Sequence, residues 1–255
     1  MNNVSIMLIT YNRLPLTQRM FESFFKTVDN NYHLIIVDNG STDGTVEWLK
    51  QFKPNNKYCQ GVEIYFNSEN KGIAIGRNQA LLIANKYQDP WLCTIDNDIE
   101  FPNNWLSQCL NIVKTNHKFA IGLNFEGVNY PLQLMNGKPV QWKKEGNLGT
   151  ACSLFHRKLH QAIGFFNMDY GSYGEEDADY YFRARQAGWS LGYLPTNAIH
   201  FGEGELDKGE YRDFKTAQHK KNLQPFQANC HQYMAKTRSI YIPFEDNNLA
   251  IKDNR

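Results

Sequence analysis

The sequence predicts an α/β protein in which a mostly parallel central sheet is flanked by helices. Short apolar, strand-like runs alternate with helix-like runs along the first half of the chain, with short turns between them. With 255 residues, 42% of them hydrophobic, the chain can bury a full core. Polar and charged residues gather directly after the predicted strands, which is where open α/β sheets bind their ligands.

Five strands are predicted in the first half of the chain. They cover residues 4–10, 33–38, 62–66, 91–95 and 119–125. The helices between them begin near Pro15 and cover residues 45–52, 73–86 and 103–114. Proline suits the first turn of a helix, and both Pro15 and Pro102 stand at such openings.

The pattern is less regular in the second half. Residues 126–147 are rich in Gly, Pro and Asn without a clear period, so we expect a hairpin or loop excursion there. A strand at 150–156, a short helix at 157–164, a longer helix at 176–187 and a last strand at 189–194 follow. Gly188 ends the longer helix, and Pro195 stops the last strand.

Net charge, hydropathy and cysteine content limit the class of protein. The formal net charge of +1 gives no global attraction to a polyanion. No stretch has the length of a membrane span, and the N-terminus lacks the basic-then-apolar layout of a signal peptide. The five cysteines are scattered without metal-type spacing, so we expect reduced thiols in a cytoplasmic protein.

The most informative motif is Asp96-Asn97-Asp98, directly after the strand predicted at 91–95. Because side chains alternate along an extended chain, Asp96 and Asp98 should point to one side and Asn97 to the other. Two carboxylates this close repel each other unless a cation lies beside them, and such oxygen ligands suit Mg²⁺ or Mn²⁺. The alternative is a strand that ends in a polar turn.

Two earlier strand ends also carry polar motifs. Thr10-Tyr11-Asn12-Arg13 ends the first strand, and Asp38 ends the second. An aromatic ring, an amide and a carboxylate at adjacent strand ends can hold a base and its ribose. Ordinary strand-to-helix turns favour the same residue types on conformational grounds, and that alternative stays open.

A third such loop is Asn70-Lys71-Gly72, which precedes the helix at 73–86. Arg77 lies about one and a half turns into that helix, close enough to its N-terminus to reach a bound anion. From the spacing alone, a solvated surface arginine is as well supported as one that contacts an anion.

Four acids stand in five positions between residues 175 and 179, at the start of a predicted helix. A helix dipole explains one or two of them. Asp179 and Arg183 are four residues apart and should form an ion pair, which accounts for a third acid of the four. Glu176 or Asp177 could accept a proton from an attacking hydroxyl group.

His200 follows the last predicted strand. A lone histidine is more often a hydrogen-bonded residue than a metal ligand. The sequence around it does not decide between the two.

Taken together and in order, these motifs resemble those of the family 2 glycosyltransferases, which have the GT-A nucleotide-sugar-binding fold. The resemblance covers residues 4–202. It rests on the three strand-end loops above together with Gly76-Arg77-Asn78, on Asp96-Asn97-Asp98, and on the acidic run with Arg183 and Ala187-Gly188-Trp189.

The resemblance implies a role for each motif. Binding of the nucleotide and donor sugar would fall to Thr10, Tyr11, Asn12, Arg13, Asp38, Asn70, Lys71, Gly72, Arg77, Asp96 and Asn97, with Asp38 at the base and Asp96 at the ribose or donor sugar. Asp98 and His200 would hold the divalent cation. Asp177 would be the general base, and Glu176 would orient hydroxyl groups.

The implied reaction is an inverting, Mn²⁺- or Mg²⁺-dependent transfer of a sugar from a nucleoside-diphosphate donor to a hydroxyl group. A UDP-sugar is the favoured donor, and dTDP- and GDP-sugars are less favoured. The resemblance implies a GT-A domain over residues 1–202, with a nucleotide-binding half at 1–100 and an acceptor half at 101–202. Residues 203–255 would form a C-terminal extension that packs on the same domain.

The acceptor and the C-terminal extension are less defined. Residues 215–244 lack Asp and Glu and carry the cations Lys215, Lys220, Lys221, Lys236 and Arg238. They predict a solvated amphipathic helix over the sheet, or a surface for a phosphate-bearing acceptor such as a lipid-linked sugar at a membrane face, a polymer or modified DNA. An acceptor glycan or lipid-linked sugar is favoured, and peripheral membrane contact stays open.

Three other functions compete with a sugar transferase. A non-catalytic subunit that binds nucleotide-sugar or glycan would lose its acids, and this chain keeps them. A sugar-nucleotide pyrophosphorylase needs a Gly-rich basic loop where Thr10-Tyr11-Asn12-Arg13 stands. A nucleic-acid-binding module would depend on the basic tail alone.

Overall fold

In the computed structural model, residues 3–125, 127–196, 198–201 and 209–243 are described, and they contain eleven strands and seven α-helices. The strands are β1 (Val4–Thr10), β2 (Tyr32–Asp38), β3 (Cys59–Phe66), β4 (Trp91–Ile95), β5 (Ile99–Glu100), β6 (Phe119–Leu123), β7 (Leu132–Met135), β8 (Lys138–Trp142), β9 (Cys152–His156), β10 (Ser190–Leu194) and β11 (Ile199–His200). The helices are α1 (Leu14–Thr27), α2 (Thr45–Lys50), α3 (Ile73–Tyr87), α4 (Trp105–Val113), α5 (Arg157–Ile163), α6 (Glu176–Gln186) and α7 (Glu210–Met234). A 3₁₀ turn covers Met168–Tyr170.

Nine of these strands form one sheet in the order β3-β2-β1-β4-β9-β6-β10-β8-β7. The first four are parallel, with Thr10 of β1 paired to Asp38 of β2, and Leu8 paired to Ile95 of β4. The carboxyl ends of these strands therefore lie at one edge of the sheet, where the strand-end motifs meet.

The second half of the sheet mixes directions. β9 lies antiparallel between β4 and β6, while β10 is parallel to β6. The β7–β8 hairpin extends the sheet beyond β10 and confirms the expected excursion at 126–147 within its described residues. A separate two-stranded ribbon pairs β5 with β11.

Both faces of the sheet are buried, as the alternation of strand and helix predicts. On β1, Ile6 and Leu8 belong to the apolar core that includes Phe21 and Phe24 of α1. Met7 points to the opposite core, which α3, α5 and α6 cover. Because water reaches neither face of the central strands, these strands are mostly apolar, and the polar side chains that they bury, such as Ser5 and Thr94, form hydrogen bonds.

Helix α7 packs against α6 and the 3₁₀ turn through polar contacts. The side-chain amide of Asn222 donates to the carbonyls of Tyr170 and Tyr173, at 2.7 and 2.9 Å. The division at residue 202 stays a prediction, since residues 202–208 and 244–255 lie outside the described part.

Several element boundaries differ from the predicted ones for local conformational reasons. Helix α4 begins at Trp105 rather than 103, because Asn104 adopts a left-handed conformation with φ of 56°. Helix α7 ends at Met234 rather than near 244, shortly before Lys236 with φ of 58°. β3 begins three residues early, at Cys59, because its pairing with β2 continues to Tyr32.

Two further observations bear on the class of protein. All five cysteines are free thiols. Among the described helices, none combines the length and the apolar character that a membrane crossing requires.

Candidate active site

A cleft of about 840 Å³ opens at the carboxyl edge of the parallel strands. Many of the residues that the sequence marked as functional line it: Tyr11, Asn12, Arg13, Asn70, Arg77, Asp96, Asn97, Asp98, Glu176, Asp177 and His200. The fold thus brings residues from distant parts of the chain into one site.

The first two loops are tied together by hydrogen bonds. The backbone N–H of Asn12 donates to Ser41 Oγ at 2.7 Å, and its side-chain oxygen accepts from the N–H of Thr42 at 2.8 Å. Tyr11 is 42% exposed at the cleft, so its ring is available for stacking on a base.

Asp38 and Thr10 are buried beside the cleft rather than among its lining residues. The carboxylate of Asp38 accepts from the N–H groups of Gly40 and Ser41, at 3.2 and 3.0 Å. Its contact with a base therefore stays a prediction, and its visible role is to hold the loop after β2.

Asn39 lines the cleft as well, although its sequence context does not predict a role for it. Its side-chain amide donates to Asn70 Oδ1 at 2.9 Å and to the carbonyl of Gly72 at 3.1 Å. Its oxygen accepts from Asn67 at 3.0 Å and from the N–H of Lys71 at 3.1 Å. Asn39 thereby fixes the third loop against the second.

Lys71 and Gly72 are outside the set of lining residues. The ammonium of Lys71 pairs with Glu69 instead. Gly72 has φ of 88°, and a Cβ there would meet the Cα of Ser172 at 2.9 Å, so only glycine fits this approach of two loops.

Asp96 and Asp98 follow β4 as predicted, with Asn97 turned away from them. Asn97 donates to the hydroxyl groups of Thr10 and Thr17, at 3.2 and 3.0 Å. The ligand atoms of Asp96, Asp98 and His200 lie within 4.8 Å of one another. The two carboxylates therefore come together through a turn at residues 97 and 98 rather than through the extended chain that the prediction assumed, and Asn97 has a structural contact.

The β5–β11 ribbon positions His200. His200 pairs with Ile99, and the N–H of Phe201 donates to the carbonyl of Asp98 at 2.9 Å. The ring Nε2 lies 3.4 Å from Asp98 Oδ1. Within the described residues, the buried Nδ1 atom has no hydrogen-bond partner.

The donor set fits a divalent cation. Two carboxylates and one imidazole within a few ångströms of one another match the ligands that Mn²⁺ takes, and carboxylates also suit Mg²⁺. The two acids are Asp96 and Asp98, so Asp96 offers a ligand atom in addition to the sugar contact that the resemblance implies.

Two arginines flank the acidic pair. Arg77, only 4% exposed, donates to Glu176 Oε1 at 2.9 Å and lies 3.3 Å from Asp96 Oδ1. Arg13 donates to Asp98 Oδ2 at 2.9 Å. Arg77 is therefore a buried residue of the site and no solvated surface arginine.

Burial and charge shift the protonation of these groups. Burial raises the pKa of Asp98, with Asp96 adding to the shift and His200 and Arg13 opposing it. For Arg77, burial acts to lower the pKa. The carboxylates of Asp96, Glu176 and Asp177 have the larger opposite effect, so the pKa of Arg77 lies above its ordinary value.

Helix α6 begins at the cleft with two acids of different environment. Glu176 is 4% exposed, and burial with the neighbouring Asp177 raises its pKa to about 7 against the effect of Arg77. Its Oε2 atom finds no partner among the described residues. Asp177 is half-buried and lines the cleft.

The start of α7 forms part of the rim of the cleft. Phe214 and Lys215 line it together with Tyr173, and the Lys215 ammonium lies 6.0 Å from the centre of the Tyr173 ring. Of the other basic residues, Arg238 pairs with Asp169 at 2.6 Å. The basic tail therefore contributes Lys215 to the cleft and Arg238 to the packing of the protein.

Comparison with known proteins identifies the family. The family model described as glycosyl transferase family 2 matches residues 5–168. The putative teichuronic acid biosynthesis glycosyltransferase TuaG of Bacillus subtilis is 26% identical over 137 residues, which are 54% of this chain and 50% of the relative. This chain spans half or less of the length of the first curated relatives that it matches.

Solved structures agree on the fold. The mannosyltransferase PcManGT of Pyrobaculum calidifontis, solved with GDP-Man and Mn²⁺, superposes with a TM-score of 0.62 at 15% identity over 92% of this chain and 76% of that one. TarS 1–349 of S. aureus, solved with UDP, gives 0.59 at 17% identity over 76% and 58%. The chain therefore has the GT-A fold and belongs to glycosyl transferase family 2.

Proposed function

We propose that this chain transfers a sugar from a nucleoside-diphosphate donor to a hydroxyl group of an acceptor, with inversion at the anomeric carbon. One observation carries the proposal: Asp96, Asp98 and His200 converge in the same cleft that holds Asp177. An acidic cation site and a candidate base in one cleft are the two parts that such a transfer needs.

Different residues of the cleft would bind different parts of the donor. Tyr11, Asn12 and Asn70 would bind the nucleoside side of the donor, and the buried Arg77 would fix Asp96 and Glu176 in place. A divalent cation held by Asp98 and His200, with Asp96 beside it, would neutralise charge on the leaving diphosphate.

Asp177 would accept the proton of the attacking hydroxyl group. It lines the cleft at the first turn of α6, where a substrate hydroxyl can reach it. Glu176, held by Arg77, would orient that hydroxyl group or the donor sugar. A single displacement of this kind inverts the anomeric centre, because the acceptor attacks opposite the leaving group.

A UDP-sugar is our proposed donor, and Mn²⁺ or Mg²⁺ the cation. TarS was solved with UDP and PcManGT with GDP-Man and Mn²⁺, which supports both a nucleotide donor and a cation without choosing the base. For the acceptor we retain a glycan or lipid-linked sugar, and Lys215 at the rim would favour one that carries phosphate.

The donor can be tested by thermal unfolding with UDP, dTDP, GDP and CMP, each with and without Mn²⁺. A nucleotide at about 100 times its dissociation constant stabilises the folded state by about 2.7 kcal/mol. We expect a rise of roughly 5–10 °C for one nucleotide, only with Mn²⁺. Asp98→Asn should abolish the rise, whereas Glu47→Gln, at an exposed acid on α2, should keep it.

The same experiment separates transfer from mere binding when donor turnover is added. An enzyme should release the nucleoside diphosphate from its donor, slowly to water and faster with an acceptor. Stabilisation by a nucleotide without any release would point to a binding subunit. No stabilisation by any of the four nucleotides would contradict the proposal.

A further inference from the structure

Arg13 stands in a position that local conformation does not favour for an arginine. It is the residue before α1, with φ of 63°, and it follows Asn12 with φ of 54°. Left-handed conformations and helix N-caps both favour Asn, Asp or Gly, and the Arg13 side chain makes no capping hydrogen bond. The reason for an arginine must therefore lie in what its side chain contacts.

The backbone at this point is held firmly. The carbonyl of Arg13 accepts from the N–H groups of Leu16 and Thr17, at 3.0 and 3.1 Å. Asn12 is tied to the loop after β2 by its bonds to Ser41 and Thr42. This frame directs the guanidinium to Asp98, where Nη1 donates to Oδ2 at 2.9 Å.

The contact falls on a proposed cation ligand. Asp98 is only 6% exposed, and a buried carboxylate needs a positive partner. His200 faces its Oδ1 atom and Arg13 its Oδ2 atom. A divalent cation on Asp98 would lie close to the guanidinium charge, so the two compete for the same carboxylate.

The two arginines of the site differ in how easily they can move. Arg77 is 4% exposed and bridges Asp96 and Glu176, which fixes it in the core. The side chain of Arg13 is 23% exposed and borders the open cleft. The Arg13 side chain therefore borders open space into which it can rotate, whereas Arg77 is enclosed and bridges two acids.

We propose that the Arg13 guanidinium occupies the position of the divalent cation beside Asp98 when no nucleotide is bound. When the cation binds Asp98, the guanidinium leaves this carboxylate and binds the donor diphosphate instead. This makes the cation and the nucleoside diphosphate bind with positive coupling, because the diphosphate supplies the negative charge to which Arg13 moves. The inference rests on the proposed cation site and adds a named residue that couples its two ligands.

The test is Mn²⁺ binding without turnover, measured from the electron paramagnetic resonance signal of free Mn²⁺, with and without UDP. Arg13→Gly suits the left-handed backbone and removes the guanidinium. We expect it to bind Mn²⁺ alone about tenfold more tightly than the unmodified protein. The factor by which UDP increases the affinity for Mn²⁺ should be several-fold smaller in the variant than in the unmodified protein.

Two further variants serve as controls. Arg13→Lys keeps a charge and should bind Mn²⁺ alone more weakly than Arg13→Gly. Arg19→Ala removes a charge from α1, the helix that Arg13 precedes, at a guanidinium that lies over the Phe201 ring, and should change Mn²⁺ binding less than threefold. Thermal unfolding of each variant confirms that it is folded.

The outcomes separate this inference from the proposed function. If the unmodified protein binds Mn²⁺ with UDP but Arg13→Gly binds Mn²⁺ alone no more tightly, the inference is wrong and the cation site stands. If neither protein binds Mn²⁺ even with UDP, GDP or dTDP, the cation site itself is wrong and the inference falls with it.

Discussion

Two polar clusters lie on the same helix, α6, and differ in how completely their atoms are satisfied. At its first turn, Glu176 and Asp177 line the cleft, and one oxygen of Glu176 has no partner in the described part of the chain. Less than one turn later, Asp179 is fully buried and both of its oxygens are engaged. Acids that lie close together in sequence thus have different environments.

The buried cluster is a closed network. Asp179 accepts from Arg183 Nε at 2.5 Å, from the Tyr170 hydroxyl at 2.8 Å and from the Tyr233 hydroxyl at 3.0 Å. Arg183 donates further to the carbonyls of Ile163 and Phe165. This network joins α6 to α7 and the 3₁₀ turn.

The difference shows which acids to assign to chemistry. A buried acid whose oxygens all have hydrogen-bond partners stabilises one conformation. A buried acid at a cleft with an oxygen that lacks a partner can instead bind a ligand. On this criterion Asp179 is structural and Glu176 belongs to the proposed active site, where the half-buried Asp177 lines the cleft beside it.

Asp179→Asn should have the largest effect, and on stability. It removes the charge that compensates the buried Arg183, which costs about 3–5 kcal/mol. Chemical denaturation measures the loss. Asp169→Asn breaks an exposed pair with Arg238 and should cost less than about 1 kcal/mol. Equal losses for the two variants would contradict the assignment of Asp179.

Asp177→Asn should have its effect on turnover instead. Loss of a general base lowers kcat by about 10²–10⁴-fold, while the unfolding midpoint and donor affinity stay close to those of the unmodified protein. Release of nucleoside diphosphate from the donor gives kcat. Glu175→Gln is the matched control, because Glu175 faces His219 and lies outside the set of cleft-lining residues. Near-normal turnover in Asp177→Asn would show that another group is the base.

Glu176→Gln should change the pH dependence of stability in the ligand-free protein. In the unfolded chain the pKa of Glu176 is near 4.5, and in the folded protein burial and Asp177 raise it to about 7. Below pH 4.5 the group is neutral in both states. Between these values the unfolded chain releases the proton first, so folding stability falls as pH rises, on the order of 1–3 kcal/mol for this group.

The variant lacks this titration, so its stability should fall less than that of the unmodified protein between pH 4.5 and 7. Urea denaturation at a series of pH values compares the two. Parallel curves over this range would mean that Glu176 is ionised throughout.

Tyr233→Phe should have the smallest effect. It removes one hydroxyl donor from Asp179, which keeps Arg183 and Tyr170 as partners, so we expect a loss of about 1 kcal/mol. Tyr241→Phe, at a side chain that is 47% exposed, is the control and should change stability by less than about 0.5 kcal/mol. A loss above about 3 kcal/mol for Tyr233→Phe would mean that the network depends on α7 far more than its contacts indicate.

The sequence predicted the parallel half of the sheet well. Strands β1, β2 and β4 are mostly apolar, β3 alternates, and the turns are rich in Gly, Asn and Asp, so the signals agree. The direction of β9 could not be predicted in this way, because a five-residue buried strand carries no mark of its orientation. The strands of the hairpin were also missed, since Leu132 and Leu134 are exposed and polar residues separate them.

The site was predicted where a motif carries its own geometry. Asp96 and Asp98 are two residues apart and come together through a turn after β4, and four-residue spacing pairs Asp179 with Arg183. The contact of Arg13 with Asp98 joins residues 85 positions apart, and the bond of Asn39 to Asn70 depends on how two loops fold. No local pattern in one sequence encodes such long-range contacts.

Anomalous diffraction from a crystal grown with Mn²⁺ and UDP shows whether Asp98 and His200 hold the cation. We expect one manganese peak within coordination distance of Asp98 and His200, with the diphosphate on its open side and Asp179 still bound to Arg183. A peak elsewhere in the cleft, or UDP bound at this edge of the sheet with no metal beside Asp98, would contradict this expectation.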